Sequence, residues 1–320
     1  MIFAIVAISL GGAAVIALAA WAGLSAIGAE VWDAAWVVPP AAGLMLVQLY
    51  LSAAAWRISV GEGPRVGRYF RIRWIREAVN GMLPVVQLGG NILGVRLLVQ
   101  RGVGAATAAA GTTLDLTVEV VTQLIFTLVG FAALGLGGPV GAASWAALLI
   151  ALMAIAVIGF VVAQRAGLMR IVEALIRPLA RLFPGLTLET ARNLHAELMR
   201  LHRDRAALLR AGSLHLIAWF LGVAETWVAL WAMGHGTDWQ AALVIESLGM
   251  AARSAGFVVP GALGVQEGGL VVVAGLYGIG ADGAIALSMV KRAREVLVGI
   301  VGLIIWQFAE GRRLLSVKRG

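Results

Sequence analysis

Six apolar runs, at 2–24, 34–56, 105–134, 141–163, 211–233 and 283–309, punctuate this 320-residue chain. Each is long enough, as a helix, to cross hydrocarbon about 30 Å thick. Two further apolar stretches, 78–100 and 240–280, break in the middle around one short phrase. The first reads Pro84-Val85-Val86-Gln87-Leu88-Gly89-Gly90, and the second reads Pro260-Gly261-Ala262-Leu263-Gly264-Val265-Gln266-Glu267-Gly268-Gly269. Non-helical backbone at membrane depth is tolerated only where protein buries it or where it lines a wet cavity. Paired interruptions in two halves of a chain point to a substrate site near the bilayer midplane. The pattern predicts an all-α, polytopic membrane protein with about six transmembrane helices and two helical hairpins. The hairpins are either re-entrant or paired short crossings. Re-entrant hairpins are favoured, because each arm holds about ten residues and a helix rises about 1.5 Å per residue.

Set side by side, the halves repeat one order: crossing, crossing, hairpin, crossing. An odd number of full crossings per half inverts the second copy relative to the first. The expectation is a single membrane domain over 1–320, with one inverted repeat at 1–140 and the other at 141–164 plus 211–320. Between them, 165–210 is a polar connector. Leu168, Ile171, Leu175, Leu179 and Leu182 recur on one helical face, with Arg170, Glu173, Arg177 and Arg181 on the other. Such a basic amphipathic helix docks on anionic inner-leaflet lipid; a lateral gate or lipid-collecting elbow is the sharper alternative.

Composition agrees with this class: 61% hydrophobic residues, 13% charged residues and a mean hydropathy of +0.92 exclude a soluble chain with a polar surface. The basic excess is no nucleic-acid footprint, for it falls in three separate places. Arg57, Arg65, Arg68, Arg71, Arg73 and Arg76 crowd the first connection, arginines from Arg165 to Arg210 fill the second, and Arg312, Arg313, Lys318 and Arg319 end the chain. Glu30, Asp33, Asp238 and Asp282 mark the opposite connections, so both termini are expected in the cytoplasm. Trp32, Trp36 and Trp239 on one side, and Trp56 and Trp74 on the other, fit an aromatic belt. Ala17-Leu18-Ala19 resembles a signal-peptide cleavage site, but no Lys or Arg precedes Arg57, and the first run is therefore read as a span. With no Cys, thiolate metal sites and disulfides are excluded.

Ionisable groups inside apolar segments are costly and mark pathways or sites. Asp115 and Glu119 stand one turn apart on the third crossing, beside Thr112 and Thr122. His215, Gly222 and Glu225 share a stripe of the fifth. On the last crossing Ser288, Arg292, Glu295, Gly299 and Gly302 line one face, with Lys291 and Arg294 beside it. The broken stretches add Glu77, Asn80, Gln87 and Arg96, then Glu246, Arg253, Gln266 and Glu267. The candidate substrate-binding set is Asn80, Gln87, Arg96, Asp115, Glu119, Glu225, Glu246, Arg253, Gln266, Glu267, Arg292, Arg294 and Glu295. The candidate hairpin breaks are Pro84, Gly89, Gly90, Pro260, Gly261, Gly264, Gly268 and Gly269. Arginine is the informative member, since its planar fork suits phosphate and carboxylate oxygens. Structural pairing of these charges is the competing reading. His195, His202, His215 and His235 have no metal-ligand spacing, no Walker A phrase is present, and no cofactor is expected. For uphill transport, a proton on Asp115, Glu119 or Glu267 would be the coupling device.

The run Arg76-Glu77-Ala78-Val79-Asn80-Gly81-Met82-Leu83-Pro84 through Gly90, with Gly94-Val95-Arg96, resembles the hopanoid-biosynthesis-associated membrane protein family. Pro260-Gly261 through Gln266-Glu267-Gly268 is similar to the motif of the wider group, the flippase-type transmembrane domain of lysylphosphatidylglycerol synthases. The resemblance implies a lipid translocase of the bacterial inner membrane, flippase or scramblase, and in this subfamily a role in hopanoid transport or supply. Its cargo would be a hopanoid or an aminoacylated or anionic phospholipid, and its partners hopanoid-synthesis or lipid-transport proteins. Full-length synthases carry a soluble aminoacyl-transfer domain that these residues do not contain, so transport without enzymatic lysyl transfer is expected. The alternatives are a non-transporting subunit that scaffolds lipid synthesis and an intramembrane lipid-modifying enzyme.

Overall fold

The computed structural model describes residues 23–83, 89–137, 196–256 and 259–317. It is helical, with no strand among the described residues. The helices are α1 (Leu24–Asp33), α2 (Val38–Val60), α3 (Val66–Met82), α4 (Gly89–Val99), α5 (Ala105–Gly137), α6 (Arg205–Ala232), α7 (Trp239–Ala255), α8 (Val265–Gly275) and α9 (Ala281–Val317). Short 3-10 turns at Ala35–Val37 and Pro260–Ala262 join α1 to α2 and α7 to α8. Residues 196–202 form two further helical turns.

Local chemistry sets the boundaries. Proline in the first turn of α2 removes an amide that would have no intrahelical acceptor. The same helix stops at Gly61, whose left-handed φ of 79° turns its N–H back to the Arg57 carbonyl at 3.0 Å. Asp204 and Asp238 cap α6 and α7, accepting from the Ala207 and Ala241 amides at 2.9 and 2.7 Å. Just before α6, Arg200 hydrogen-bonds Glu197 and holds its half-buried carboxyl below its usual range.

Among the described residues, three segments are long and apolar enough to cross a membrane: Ala35–Val60, Ala105–Leu136 and Arg205–Ala232. They coincide with the expected runs at 34–56, 105–134 and 211–233. Only 33%, 39% and 28% of their apolar windows are buried, which leaves most of that surface facing outward, as hydrocarbon requires of spanning helices. The run at 283–309 lies inside the 37-residue α9, whose charged middle, Lys291 to Glu295, separates it from the apolar three. The run at 2–24 up to residue 22, the run at 141–163 and the connector before 196 lie outside the described residues.

Each broken stretch consists of a 17-residue helix followed by an 11-residue one, α3 then α4 and α7 then α8. Arms of about ten residues therefore describe only the second member of each pair. At about 1.5 Å per residue the first arms span about 25 Å, close to the hydrocarbon thickness, and the second about 16 Å. The first arm begins at Val66 because Arg73 and Arg76 are not connection charges: they are 3% and 2% exposed, on the face of α3 that also buries Tyr69, Ile72, Ile75 and Val79. Trp56 likewise is no belt residue, being fully buried against Tyr69, with its Nε1–H donating to Thr112 at 3.1 Å.

The two largest apolar clusters among the described residues hold the body together. One joins α6, α7, α8 and α9 through Leu230, Ile245, Leu270 and Leu287; the other joins α2, α3 and α4 through Trp56, Tyr69, Ile75 and Leu98. Helices α2 and α6 pack on each other, α3 packs on α9, and α5 packs on α7. Within each half, α3 contacts α2 and α4, and α7 contacts α6 and α8. Exchanging α2 with α6, α3 with α7, α4 with α8 and α5 with α9 leaves these neighbours unchanged. Glycines permit close approach at both cross-contacts: a Cβ on Gly299 or Gly302 of α9 would collide with Met82, or with Ala78 and Trp74, of α3, and one on Gly130 of α5 with Ser247 of α7.

Candidate functional site

A cavity of about 890 Å³ opens between α2, α3, α5, α6, α7 and α9. Its walls carry charges from both halves of the chain.

On one side, α3 presents two guanidiniums to the carboxylates of α5. Arg73 Nη1 donates to Asp115 Oδ2 at 3.0 Å, Nη2 to Glu119 Oε1 at 2.6 Å, and its Nε lies 3.0 Å from Glu77 Oε1. Arg76 reaches the same two carboxylates at 3.5 and 3.4 Å and stacks its guanidinium 5.4 Å from the centre of the Trp56 ring. His215 of α6 completes the group, its Nε2 lying 3.1 Å from Asp115 Oδ1. Desolvated carboxylates are tolerable only when paired in this manner.

On the other side, α9 supplies the cations. Lys291 Nζ donates to Glu246 Oε2 at 2.7 Å and stands 3.8 Å from Glu225, while Thr226 donates to Glu246 at 2.5 Å. Arg294 pairs with Glu225 at 2.7 Å. Arg253 of α7 donates to both Gln266 Oε1, at 2.8 Å, and Glu295, at 2.6 and 3.2 Å. Arg292 donates to Glu267 Oε1 at 2.6 Å and to the Gly261 carbonyl at 3.2 Å, and Ser288 also donates to Glu267.

The interruptions hold these charges in place. In the second, Gly261 (φ 64°), Ala262 (φ 49°) and Gly264 (φ 80°) turn the chain through left-handed backbone, and Glu267 caps α8 by accepting the Gly264 amide at 2.8 Å. In the first, Asn80 Oδ1 accepts the Gly90 amide at 2.8 Å, and a side chain at Gly90 would strike the Arg76 carbonyl. Both breaks are thus closed by a side-chain oxygen on a glycine N–H. A freed backbone donor at membrane depth needs such a partner.

Residues 2–302 match the family described as the lysylphosphatidylglycerol synthase TM region. The chain belongs to that family. No curated protein and no solved structure matches it. As a member, it is a membrane protein involved in lipid handling.

Within this family member, seven of the residues expected at the site line the cavity: Asn80, Glu119, Glu246, Arg253, Arg292, Arg294 and Glu295. Four more stand directly behind them as partners, Asp115, Glu225, Gln266 and Glu267, each at most 3% exposed. Arg96 is not brought to the cavity; it lies on the exposed face of α4. Gln87 and Pro84 lie outside the described residues. Of the expected break residues, Gly89 and Gly90 open α4, and Pro260, Gly261 and Gly264 form the second turn. Gly268 and Gly269 are not part of a break, since both are inside α8, where Gly269 lets Ala252 of α7 come close. Arg73, Arg76, His215 and Lys291 are site residues absent from the expected set. The 3–4 spacing of Tyr69, Ile72, Arg73 and Arg76 is the signal that marks two of them.

Proposed function

We propose that this protein is a lipid translocase, a flippase or scramblase that passes a polar head group through the charged cavity while the apolar body of the lipid stays in the bilayer. The observation that carries this reading is a head-group-sized cavity, walled by paired Arg, Lys and Glu from both halves, inside a body whose outer surface is apolar. Mixed signs suit a zwitterionic or anionic head group, which can exchange partners with groups already paired. The cargo in this reading is a hopanoid or an aminoacylated or anionic phospholipid, and the membrane is the bacterial inner membrane with both termini cytoplasmic. The unchanged neighbours under exchange of halves support an inverted repeat, the architecture that lets one half rock against the other. The basic connector docks on anionic lipid. We read the protein as a transporter and not an enzyme.

Dithionite quenching of head-group-labelled phospholipid in proteoliposomes tests this. Quenching well beyond the outer-leaflet half, lost in Arg253→Ala, is the expected result. Quenching confined to the outer leaflet, for labelled phospholipid and labelled hopanoid alike, would reject translocation.

A further inference from the structure

The charges around the cavity do not balance evenly between its two sides. On the α7–α9 side, Arg253, Lys291, Arg292 and Arg294 meet Glu225, Glu246, Glu267 and Glu295, four against four. On the α3–α5 side, Arg73 and Arg76 meet Glu77, Asp115 and Glu119, two against three. Each of these carboxylates lies within 3.6 Å of both arginines, but two cations are shared among three of them, so this group of described residues carries one net negative charge. An uncompensated charge in low dielectric is costly, and a proton is the smallest species that removes it.

One titratable base is placed to take that proton. His215 is 1% exposed, its Nε2 faces Asp115 at 3.1 Å, and its side chain borders the cavity. The groups around it can be followed element by element. From α5 come Asp115 and Glu119, and from α3 come Arg73 and Arg76, which share those carboxylates. From α2 the cavity wall is uncharged: Met45, Gln48, Leu49 and Ser52. Further along α6, Glu246 of α7 approaches at Gly222, and Lys291 and Arg294 of α9 bind Glu225. Those groups belong to the balanced side, so the excess negative charge is the one His215 faces.

Resting on the translocase reading above, we propose that His215, with Asp115, is the proton-binding site that couples lipid movement to the proton gradient. Protonation converts the imidazole to imidazolium and brings the α3–α5–α6 group to three positive against three negative charges. The imidazolium then competes with Arg73 and Arg76 for Asp115 and loosens the carboxylates' hold on them, freeing them for a head group; loss of the proton restores the net negative charge and tightens that hold.

Two measurements on the full chain test this. In proteoliposomes with trapped pyranine, translocation of head-group-labelled phosphatidylglycerol is followed across the imidazole window of about pH 5 to 8. The wild-type rate is expected to change with pH, by up to about tenfold per unit on its limb as one proton titrates, with proton flux in step. His215→Gln and His215→Arg should each flatten that profile. A flat wild-type profile, or a slope retained in His215→Gln, overturns the proposal while leaving translocation standing. Separately, 15N-histidine spectra in nanodiscs report the imidazole directly, even if a variant does not fold. His215 is expected to change protonation state over the range in which the translocation rate changes. One protonation state throughout overturns the proposal, whereas titration without lipid movement supports the proton site and rejects the translocase reading.

Discussion

Single buried pairs decide what this interior tolerates. Lys291 and Glu246 are 5% and 6% exposed at a separation of 2.7 Å, and Thr226 gives Glu246 one further hydrogen bond. Removing the ammonium leaves a desolvated carboxylate with a hydroxyl for company, at a cost of about 3–5 kcal/mol, whereas removing both charges leaves an apolar contact. Lys291→Met should therefore lower the thermal stability of the detergent-solubilised protein severely, and Lys291→Met with Glu246→Leu should recover most of the loss. Equal midpoints for the single and double variants would contradict this account. Charges of this kind are legible in the sequence when apolar neighbours isolate them, as with Asp115 and Glu119. Arg73 and Arg76 are harder to read because exposed Arg65, Arg68 and Arg71 precede them in one basic run. Helical phase alone separates the two groups, and phase becomes visible only once a helix is known to begin at Val66.

At the scale of elements, the interruptions of the two apolar stretches are written in Pro and Gly, but the lengths of their arms are not. Composition places the start of the first stretch at residue 78, while the helix starts twelve residues earlier, because charge on a helix that faces paired carboxylates is no bar to burial. The turns themselves depend on backbone freedom. Gly261 adopts a φ of 64°, and its carbonyl accepts from Arg292. A β-branched residue there meets the left-handed penalty of about 1–2 kcal/mol. Gly261→Val should lower stability by that amount and slow lipid movement several-fold, with far-UV circular dichroism showing α7 and α8 intact. Asn80→Leu probes the other break, where the Gly90 amide would lose its acceptor at a cost of about 1–3 kcal/mol. If neither change moves the unfolding midpoint, the left-handed turn at Gly261 and the Asn80 clasp on the Gly90 amide do not hold the breaks.

For the whole molecule, the question is which surfaces separate when the cavity changes sides. Exchange of the halves maps the α3–α9 contact onto the α5–α7 contact, and both run between the halves. Both are also made by glycine against a bulkier residue, Gly299 on Met82 and Gly130 on Ser247, so each is close enough to fasten. A Cβ on Gly299 would lie 2.8 Å from Met82 Cγ, and one on Gly130 would lie 2.8 Å from Ser247 Cβ. With small backbone adjustments these positions meet the Cβ separation of about 3.5–4.5 Å that a disulfide needs. The absence of cysteine from the sequence makes any introduced pair unambiguous. Met82→Cys with Gly299→Cys, and Gly130→Cys with Ser247→Cys, should each cross-link on oxidation. If the halves rock about the α2–α6 contact, opening one cross-contact and then the other, either disulfide arrests lipid movement and reduction restores it. Arrest by one pair alone would make one interface the moving gate and the other a fixed hinge, and the near-equivalence of the halves would then be a matter of packing and not of motion. Continued movement with both disulfides formed would place the head-group path outside these interfaces and exclude rocking as the transport step.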